Sequence, residues 1–283
     1  MPAILLLISI IPSIILGYYI YKMDKIEKEP AKLIALLFGL GVLSIIPAVI
    51  LEILASGLLD WFGIGEDSNL IGLFIYFLIG VGAVEEGCKW IILKKVTWNH
   101  KEFDHIFDAL VYAAFVSLGF ATLENILYVF QNGIGTGILR AILSVPGHTF
   151  FAIYMGYYYG IAKQCYLNGN QKLYSSNLAK SFLIPTLIHG LFDFLLSTEY
   201  MIIFIAYFAL IIFLYITAFN KIIRFSKVST NLKVPYANQN NQMQQVQPVP
   251  VQTNQQQAAP TNFCKNCGKP VTGAFCGNCG TKV

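Results

Sequence analysis

The sequence predicts an all-α fold, a polytopic membrane helix bundle of about seven transmembrane helices, with a small cysteine-rich module at its C-terminal end. Hydrophobic residues make up 56% of the 283 residues and charged residues only 12%, against about 25% charged residues in ordinary soluble domains. A helix needs about 20 apolar residues to cross the hydrocarbon of a bilayer. The stretches that meet this requirement are approximately 3–21, 32–55, 70–93, 107–130, 138–162, 179–198 and 201–220.

The ends of these stretches predict how the chain is oriented. The first stretch has no basic leader and is followed at once by lysines, so we interpret it as a retained helix rather than a signal peptide. Basic residues accumulate in alternate loops and after the last stretch, whereas the opposite loops are acidic and have only Arg140 nearby. Since Lys and Arg favour the cytoplasmic side, we expect a multi-pass protein of the cell membrane with its N-terminus outside and its C-terminus in the cytoplasm. The net charge of +4 is explained by these loops, and no nucleic acid partner is expected.

Ionisable residues inside the apolar stretches are the main indication of function. Glu85 and Glu86 lie in the third stretch, although one carboxylate at the centre of a membrane helix costs about 3 kcal/mol to insert. Glu124 lies in the fourth stretch and His148 in the fifth. Such residues indicate a metal site or a proton-transfer site within the membrane.

The sixth stretch supplies a histidine and a carboxylate on one helical face. His189 and Asp193 are four residues apart, a spacing at which both can bind one ion or the carboxylate can orient the imidazole. A catalytic zinc takes three protein N or O ligands and a water, so two histidines and one carboxylate suffice and a second carboxylate remains as general base. Glu85 and Glu86 point about 100° apart and should differ in role. Lys89, four residues after Glu85, would partly neutralise the pair.

Other polar residues are interpreted without a catalytic role. Glu52 lies near the outer end of the second stretch and can reach the lipid headgroups, so we assign it no function. His105 and Asp108 precede or begin the fourth stretch and are interpreted as interfacial. A purely structural role, an interhelical hydrogen bond or ion pair, is the alternative for each membrane histidine and for Glu124.

Three ordered strings give the chain a family resemblance. EEGCKW, DALVYAAFVSLGFATLENILY and LIHGLFDF, on successive predicted helices, resemble the PrsW family of intramembrane metalloproteases over residues 1 to about 225. The scheme of two glutamates followed by two histidines on later helices is more distantly similar to the CAAX prenyl protease and bacteriocin-processing group. The resemblance implies hydrolysis of a peptide bond in a membrane-anchored protein, in family members the first cut of an anti-sigma factor during regulated proteolysis.

The family motifs fall on particular residues of this sequence. The double glutamate corresponds to Glu85 and Glu86, the LEN motif to Glu124, and the histidine followed by an Asp to His189 with Asp193. The resemblance implies that Glu85, Glu86, Glu124 and His189 are catalytic. It implies that His148, His189 and Asp193 surround a catalytic zinc, although related enzymes can activate water with Glu and His directly, and this alternative stays open.

The C-terminal end departs from the membrane core. Residues 226–262 are rich in Gln, Asn and Pro and predict a disordered cytoplasmic linker. The two Cys-x-x-Cys-Gly pairs that follow predict a cytoplasmic zinc ribbon over 263–283 with a structural zinc, held by Cys264, Cys267, Cys276 and Cys279. Residues 1–225 are then the transmembrane protease domain, and the ribbon should recruit an unknown cytoplasmic partner.

Two other function classes fit the same membrane residues. A transporter could use the Glu and His residues to relay protons, although no repeated interrupted helices are evident. A non-catalytic scaffold could use the membrane helices only to hold the ribbon at the bilayer. Loss of cleavage on substitution of Glu86 or His189 separates the protease from both.

Overall fold

The computed structural model describes residues 2–198, 200–227, 232, 262–271, 276, 279 and 281–282. Within them, seven helical segments are long and apolar enough to cross a membrane, as the sequence predicts. These segments are Pro2–Met23, Ala31–Trp61, Leu70–Thr97, Ile106–Asn132, Ile134–Leu167, Gln171–Ser197 and Met201–Lys227. We refer to them in chain order as the first to the seventh span. Six of them cover their predicted stretch, the sixth ends one residue short of it at Ser197, and all extend it at one or both ends.

Three of the spans are not single regular α-helices. The second is divided at Ser44 into α2 and α3, the third contains a π-helical segment at Tyr76–Gly82, and the fifth is divided at Leu143 into α7 and α8. The helices in chain order are α1 Pro2–Met23, α2 Ala31–Leu43, α3 Ile45–Trp61, α4 Leu70–Ile75, α5 Ala83–Thr97, α6 Ile106–Asn132, α7 Ile134–Ile142, α8 Ser144–Leu167, α9 Gln171–Ser197 and α10 Met201–Lys227.

Helices α6 and α8 form the centre of the bundle. Most of their side chains are buried, whereas α1 and α10 expose many large apolar residues, as expected of helices that face lipid. Small residues let the central helices approach closely. A Cβ atom on Gly119 of α6 would lie 2.1 Å from the carbonyl oxygen of Phe38, and one on Gly156 of α8 would lie 2.4 Å from that of Ala109. The core therefore depends on glycine at these two crossings.

The N-terminal end of α6 is capped from within its own chain. A carboxylate oxygen of Asp108 accepts hydrogen bonds from the backbone N–H groups of Asp104 (3.0 Å) and His105 (2.6 Å). Both His105 and Asp108 are buried. Both therefore lie at an end of the fourth span, as the sequence predicts, but inside the protein rather than on its surface.

The C-terminal module lies against the membrane helices. Strand β1, Asn262–Phe263, pairs antiparallel with β2, Pro270–Val271. The hydroxyl of Tyr157 in α8 donates to the carbonyl of Cys279 (3.4 Å), and the amide of Asn177 in α9 donates to that of Asn266 (3.3 Å). Most of the linker predicted at 226–262 lies outside the described residues. Its first two residues still belong to α10, which continues to Lys227.

Candidate active site

The two glutamates of the third span follow directly after a π-helical segment. A π-turn closes its hydrogen bonds from residue i to i+5 instead of i+4 and is often found at functional sites. Here it occupies Tyr76–Gly82, and Glu85 and Glu86 lie in the first turn of the α-helix that follows. Both side chains are directed into the bundle, with Glu85 5% exposed and Glu86 fully buried.

A close crossing of the third and sixth spans places Glu86 beside His189. A Cβ atom on Gly190 would lie 2.6 Å from the Cα of Leu78, and one on Gly82 would lie 3.0 Å from the backbone nitrogen of Gly190. Only glycine permits this approach. As a result, Nδ1 of His189 lies 3.0 Å from Oε1 of Glu86.

The other edge of the His189 ring faces carboxylates as well. Its Nε2 lies 3.3 Å from Oδ2 of Asp193, as the four-residue spacing predicts, and 3.9 Å from Oε2 of Glu85. Phe151 stacks on the ring at a centroid distance of 4.7 Å. The imidazole is thus held on both edges and on one face.

His148 of α8 has a similar arrangement. Its Nε2 lies 2.8 Å from Oε2 of Glu124, and its Nδ1 lies 3.2 Å from the ammonium of Lys89. The His148 and His189 rings are nearly perpendicular, with centroids 5.2 Å apart. Each histidine therefore has a carboxylate on Nε2, while Nδ1 of each is directed towards the group formed by the two glutamates and Lys89.

Lys89 supplies a buried positive charge between the glutamates. Its ammonium lies 3.0 Å from Glu85 and 2.8 Å from Glu86, and it stands over the Phe120 ring at 4.1 Å. The residue is fully buried. A buried charge needs a partner of opposite sign, and here each glutamate provides one.

Arg140 also belongs to the site, although the sequence did not predict this. Its guanidinium lies 2.8 Å from Oε2 of Glu124, the same oxygen that contacts His148, and it stacks over Tyr128. In the sequence it is a single arginine at the outer end of an apolar stretch, which suggested a loop. One sequence signal could have revealed this pairing. Apolar residues flank Arg140 on both sides, and an arginine in such a stretch needs a buried anion as its partner.

A cavity of about 540 Å³ opens beside these residues. Glu85, Glu124, His148, His189 and Asp193 line it, whereas Glu86 and Lys89 lie behind its wall. Glu52 lines it too. The sequence analysis assigned Glu52 no function, and the structure adds that the second span turns this side chain towards the bundle.

The residues around the cavity have the chemistry of a metal site. One ligand atom each of Glu85, Glu86, His148 and His189 can be chosen so that all lie within 4.8 Å of one another. Oε2 of Glu86 is buried and has no hydrogen-bond partner among the described residues. Two imidazoles and two carboxylates are the donors that zinc prefers in catalytic sites. This group shares both histidines with the predicted set, but its carboxylates come from the glutamate pair rather than from Asp193.

A bundle of seven membrane helices with imidazoles and carboxylates converging beside a cavity fits the class of intramembrane metallohydrolases. Comparison with known sequences agrees with this class. The sequence model described as PrsW family intramembrane metalloprotease matches residues 29–218. The chain belongs to this family and is a multi-pass, membrane-embedded protease.

Similar sequences that carry the name of this family support the assignment. The chain is 39% identical over 189 residues to Protease PrsW of Oceanobacillus iheyensis, covering 67% of this chain and 81% of that protein. It is 36% identical over 191 residues to Protease PrsW of Bacillus subtilis, covering 67% and 81%, and 36% identical over 200 residues to that of Clostridioides difficile, covering 69% and 80%. No solved structure matches the chain. These relatives favour the protease over the transporter and scaffold alternatives.

Proposed function

We propose that the protein is a zinc-dependent intramembrane endopeptidase in which Glu85 is the general base. The observation that carries this role is that Glu85 lines the cavity whereas its neighbour Glu86 does not. Of the two glutamates, only Glu85 can therefore reach a water molecule and a scissile peptide bond in the cavity. Glu85 would take the proton of the attacking water and return it to the leaving amine.

Three residues are proposed to hold the zinc ion: Glu86, His148 and His189. The orphaned oxygen of Glu86 and one ring nitrogen of each histidine would supply the donors, because ligand atoms of these residues lie within 4.8 Å of one another. Bound zinc lowers the pKa of water towards neutrality and polarises a carbonyl. Asp193 and Glu124, each on the Nε2 side of one histidine, would fix the orientation and tautomer of the rings. Arg140 would hold Glu124 in place.

We also propose that the four C-terminal cysteines bind a structural zinc in a ribbon over 263–283. Sγ of Cys264 lies 3.3 Å from that of Cys279, and Sγ of Cys267 lies 3.6 Å from that of Cys276. These distances exceed a disulfide bond and are near the roughly 3.8 Å between thiolates around a tetrahedral zinc. A hydrogen bond with Cys267 is the largest cause that lowers the pKa of the Cys279 thiol to about 4, which favours a thiolate. The ribbon would recruit a cytoplasmic partner of the protease.

The metal content of the purified protein tests both zinc sites. We expect two zinc ions in the full-length protein, one after truncation behind Lys233, and none when His189→Ala is added to the truncation. His100→Ala, in a loop between spans, is the control and should lose no zinc. Zinc only in the C-terminal module would contradict the catalytic zinc, and zinc unchanged by truncation would contradict the ribbon.

The site is proposed to open to the outer face of the cell membrane. The lining of the cavity includes Glu66, in the loop between the second and third spans, and Ser197, at the end of the sixth span, and both lie at the end of the bundle away from the lysine-rich loops. The basic loops should be cytoplasmic. A cysteine introduced at Asp67 should react with a membrane-impermeant maleimide on intact cells, and one at Lys101 only after permeabilisation. The reverse pattern would overturn the orientation.

The proposed substrate is a membrane-anchored protein, and the family resemblance points to an anti-sigma factor in regulated proteolysis. The cavity supports a peptide substrate because it is large enough for several residues and is lined by apolar side chains as well as by charged groups. Its test is the disappearance of a tagged, single-span anti-sigma factor when it is co-expressed with the active protease, measured beside an inactive variant.

A further inference from the structure

A second group of buried carboxylates lies outside the active site. Asp24 and Glu29 in the loop between α1 and α2, and Asp108 in the first turn of α6, place one oxygen each within 4.8 Å of the others. Their side chains belong to residues only 2%, 4% and 1% exposed. Asp108 precedes Glu124 by sixteen residues in the same helix, so about 24 Å separates this group from the active site at 1.5 Å per residue.

Protein donors satisfy two of the three carboxylates in part. Asp108 accepts the backbone N–H groups of Asp104 and His105, and Glu29 accepts the hydroxyl of Tyr112 at 2.6 Å. Oδ2 of Asp24 is different: it is buried and has no hydrogen-bond partner among the described residues. A buried carboxylate oxygen without a partner is costly, which indicates that another group completes the site.

The surroundings add more negative charge than positive charge. Asp104 and Glu27 lie close by in an adjoining group with His105, whose Nδ1 is 2.7 Å from Oδ1 of Asp104. Lys28 is the nearby lysine, and its ammonium bonds to the backbone carbonyls of Tyr21 and Asp24 rather than to a carboxylate. Five carboxyl groups thus face one lysine and one histidine.

Burial makes the charges of the two loop residues costly. Asp24 and Glu29 are almost fully buried, so their ionised forms are unfavourable when only protein groups surround them. A bound cation would reverse this cost by pairing with the charges.

We propose that Asp24, Glu29 and Asp108 bind a hard divalent cation, Mg²⁺ or Ca²⁺, at the end of the bundle opposite the cavity. Both ions prefer carboxylate oxygens, with Ca²⁺ accepting more ligands and Mg²⁺ keeping more of its waters. The cation would join the loop after α1 to the start of α6, the central helix that carries Glu124. It would act as a structural clamp between a lipid-facing helix and the core.

Cation binding by the detergent-purified, zinc-loaded full-length protein tests the proposal. MgCl₂ and CaCl₂ are titrated separately at constant ionic strength, with calorimetry and thermal unfolding as the two readouts. We expect one additional bound cation in the wild type and a rise in Tm, and the tighter of the two titrations identifies the ion. Substitution of a residue that only hydrogen-bonds to a metal ligand lowers metal affinity about 10–100-fold. Because Asp24 is proposed as a ligand itself, Asp24→Asn should lower the cation affinity at least as much.

Two variants serve as matched controls. Asp67→Asn removes an exposed loop aspartate at the other end of the bundle, and Glu86→Gln alters the active site; both should keep the wild-type affinity for the added cation. No binding to the wild type would mean that the carboxyls share protons instead of a cation, and equal binding by Asp24→Asn would mean that the cation binds elsewhere. Either result would overturn the proposal. If Asp24→Asn does not fold, Glu29→Gln takes its place, and the stoichiometry of the wild type remains decisive.

Discussion

Glu85→Gln should abolish detectable cleavage of a co-expressed, tagged membrane substrate. The amide has nearly the same shape as the carboxylate but cannot accept the proton of the attacking water. General base catalysis contributes about 10²–10⁴-fold to a rate, and the loss should fall in that range or beyond it. The readout is the ratio of cleaved to full-length substrate over time, with substrate and protease both quantified.

Two further variants, Glu102→Gln and Glu86→Gln, are compared with Glu85→Gln. Glu102→Gln, at the end of the bundle opposite the cavity and paired with Lys101 on the surface, should cleave at the wild-type rate. Glu86→Gln should also lose activity, but it should lose the membrane zinc too, whereas Glu85→Gln should keep it. Wild-type cleavage by Glu85→Gln would exclude this residue as the base. Loss of zinc in both variants would make both glutamates ligands and leave the base unassigned.

Gly190→Ala should lower both stability and activity, although the substitution adds a single methyl group. Its Cβ would lie 2.6 Å from the Cα of Leu78, a backbone atom that cannot move without shifting the third span. Overpacking of this kind costs about 1–3 kcal/mol. It would also separate His189 from Glu86, and a misplacement of about 1 Å can lower a rate about 10²-fold. Thermal unfolding and substrate cleavage measure the two effects.

Gly39→Ala is the matched control for this helix crossing. Gly39 also lies within a membrane helix, but no atom stands within 4 Å of the position that a Cβ would occupy. It should unfold and cleave like the wild type, or be slightly more stable, because alanine favours the helix. An active and stable Gly190→Ala variant would show that the close crossing does not position the histidine.

The sequence predicted the seven spans, and indicated a site among their ionisable residues, for simple physical reasons. Apolar length determines a span, and a carboxylate or histidine within it must find a partner in the bundle. One site shared by Glu85, Glu86, Glu124, His148 and His189 was therefore permitted by the sequence but not required by it. Their depths along the helices were compatible with one site, and the structure brings them to it.

Features that depend on contacts between distant segments could not be predicted in this way. Arg140 is separated from Glu124 by a turn between two helices, and its direction depends on how α7 packs. The position of Glu52 in the cavity wall depends on how the second span is rotated about its axis. The buried partners Asp24 and Asp108 are more than eighty residues apart, and nothing local in either segment indicates the other. Which residues form such pairs depends on how a loop packs against a helix end. The periodicity of hydrophobic residues in the sequence carries no information about this packing.

The π-helical segment at Tyr76–Gly82 also makes the third span a joint between two helical phases. In a continuous α-helix the direction of every side chain follows from the one before it, so Glu85 would be tied to the residues at the mouth of the cavity. The wider turn instead shifts the phase of the downstream half relative to the upstream half. A deletion of one residue there would rotate Glu85 and Glu86 by about 100° away from the histidines.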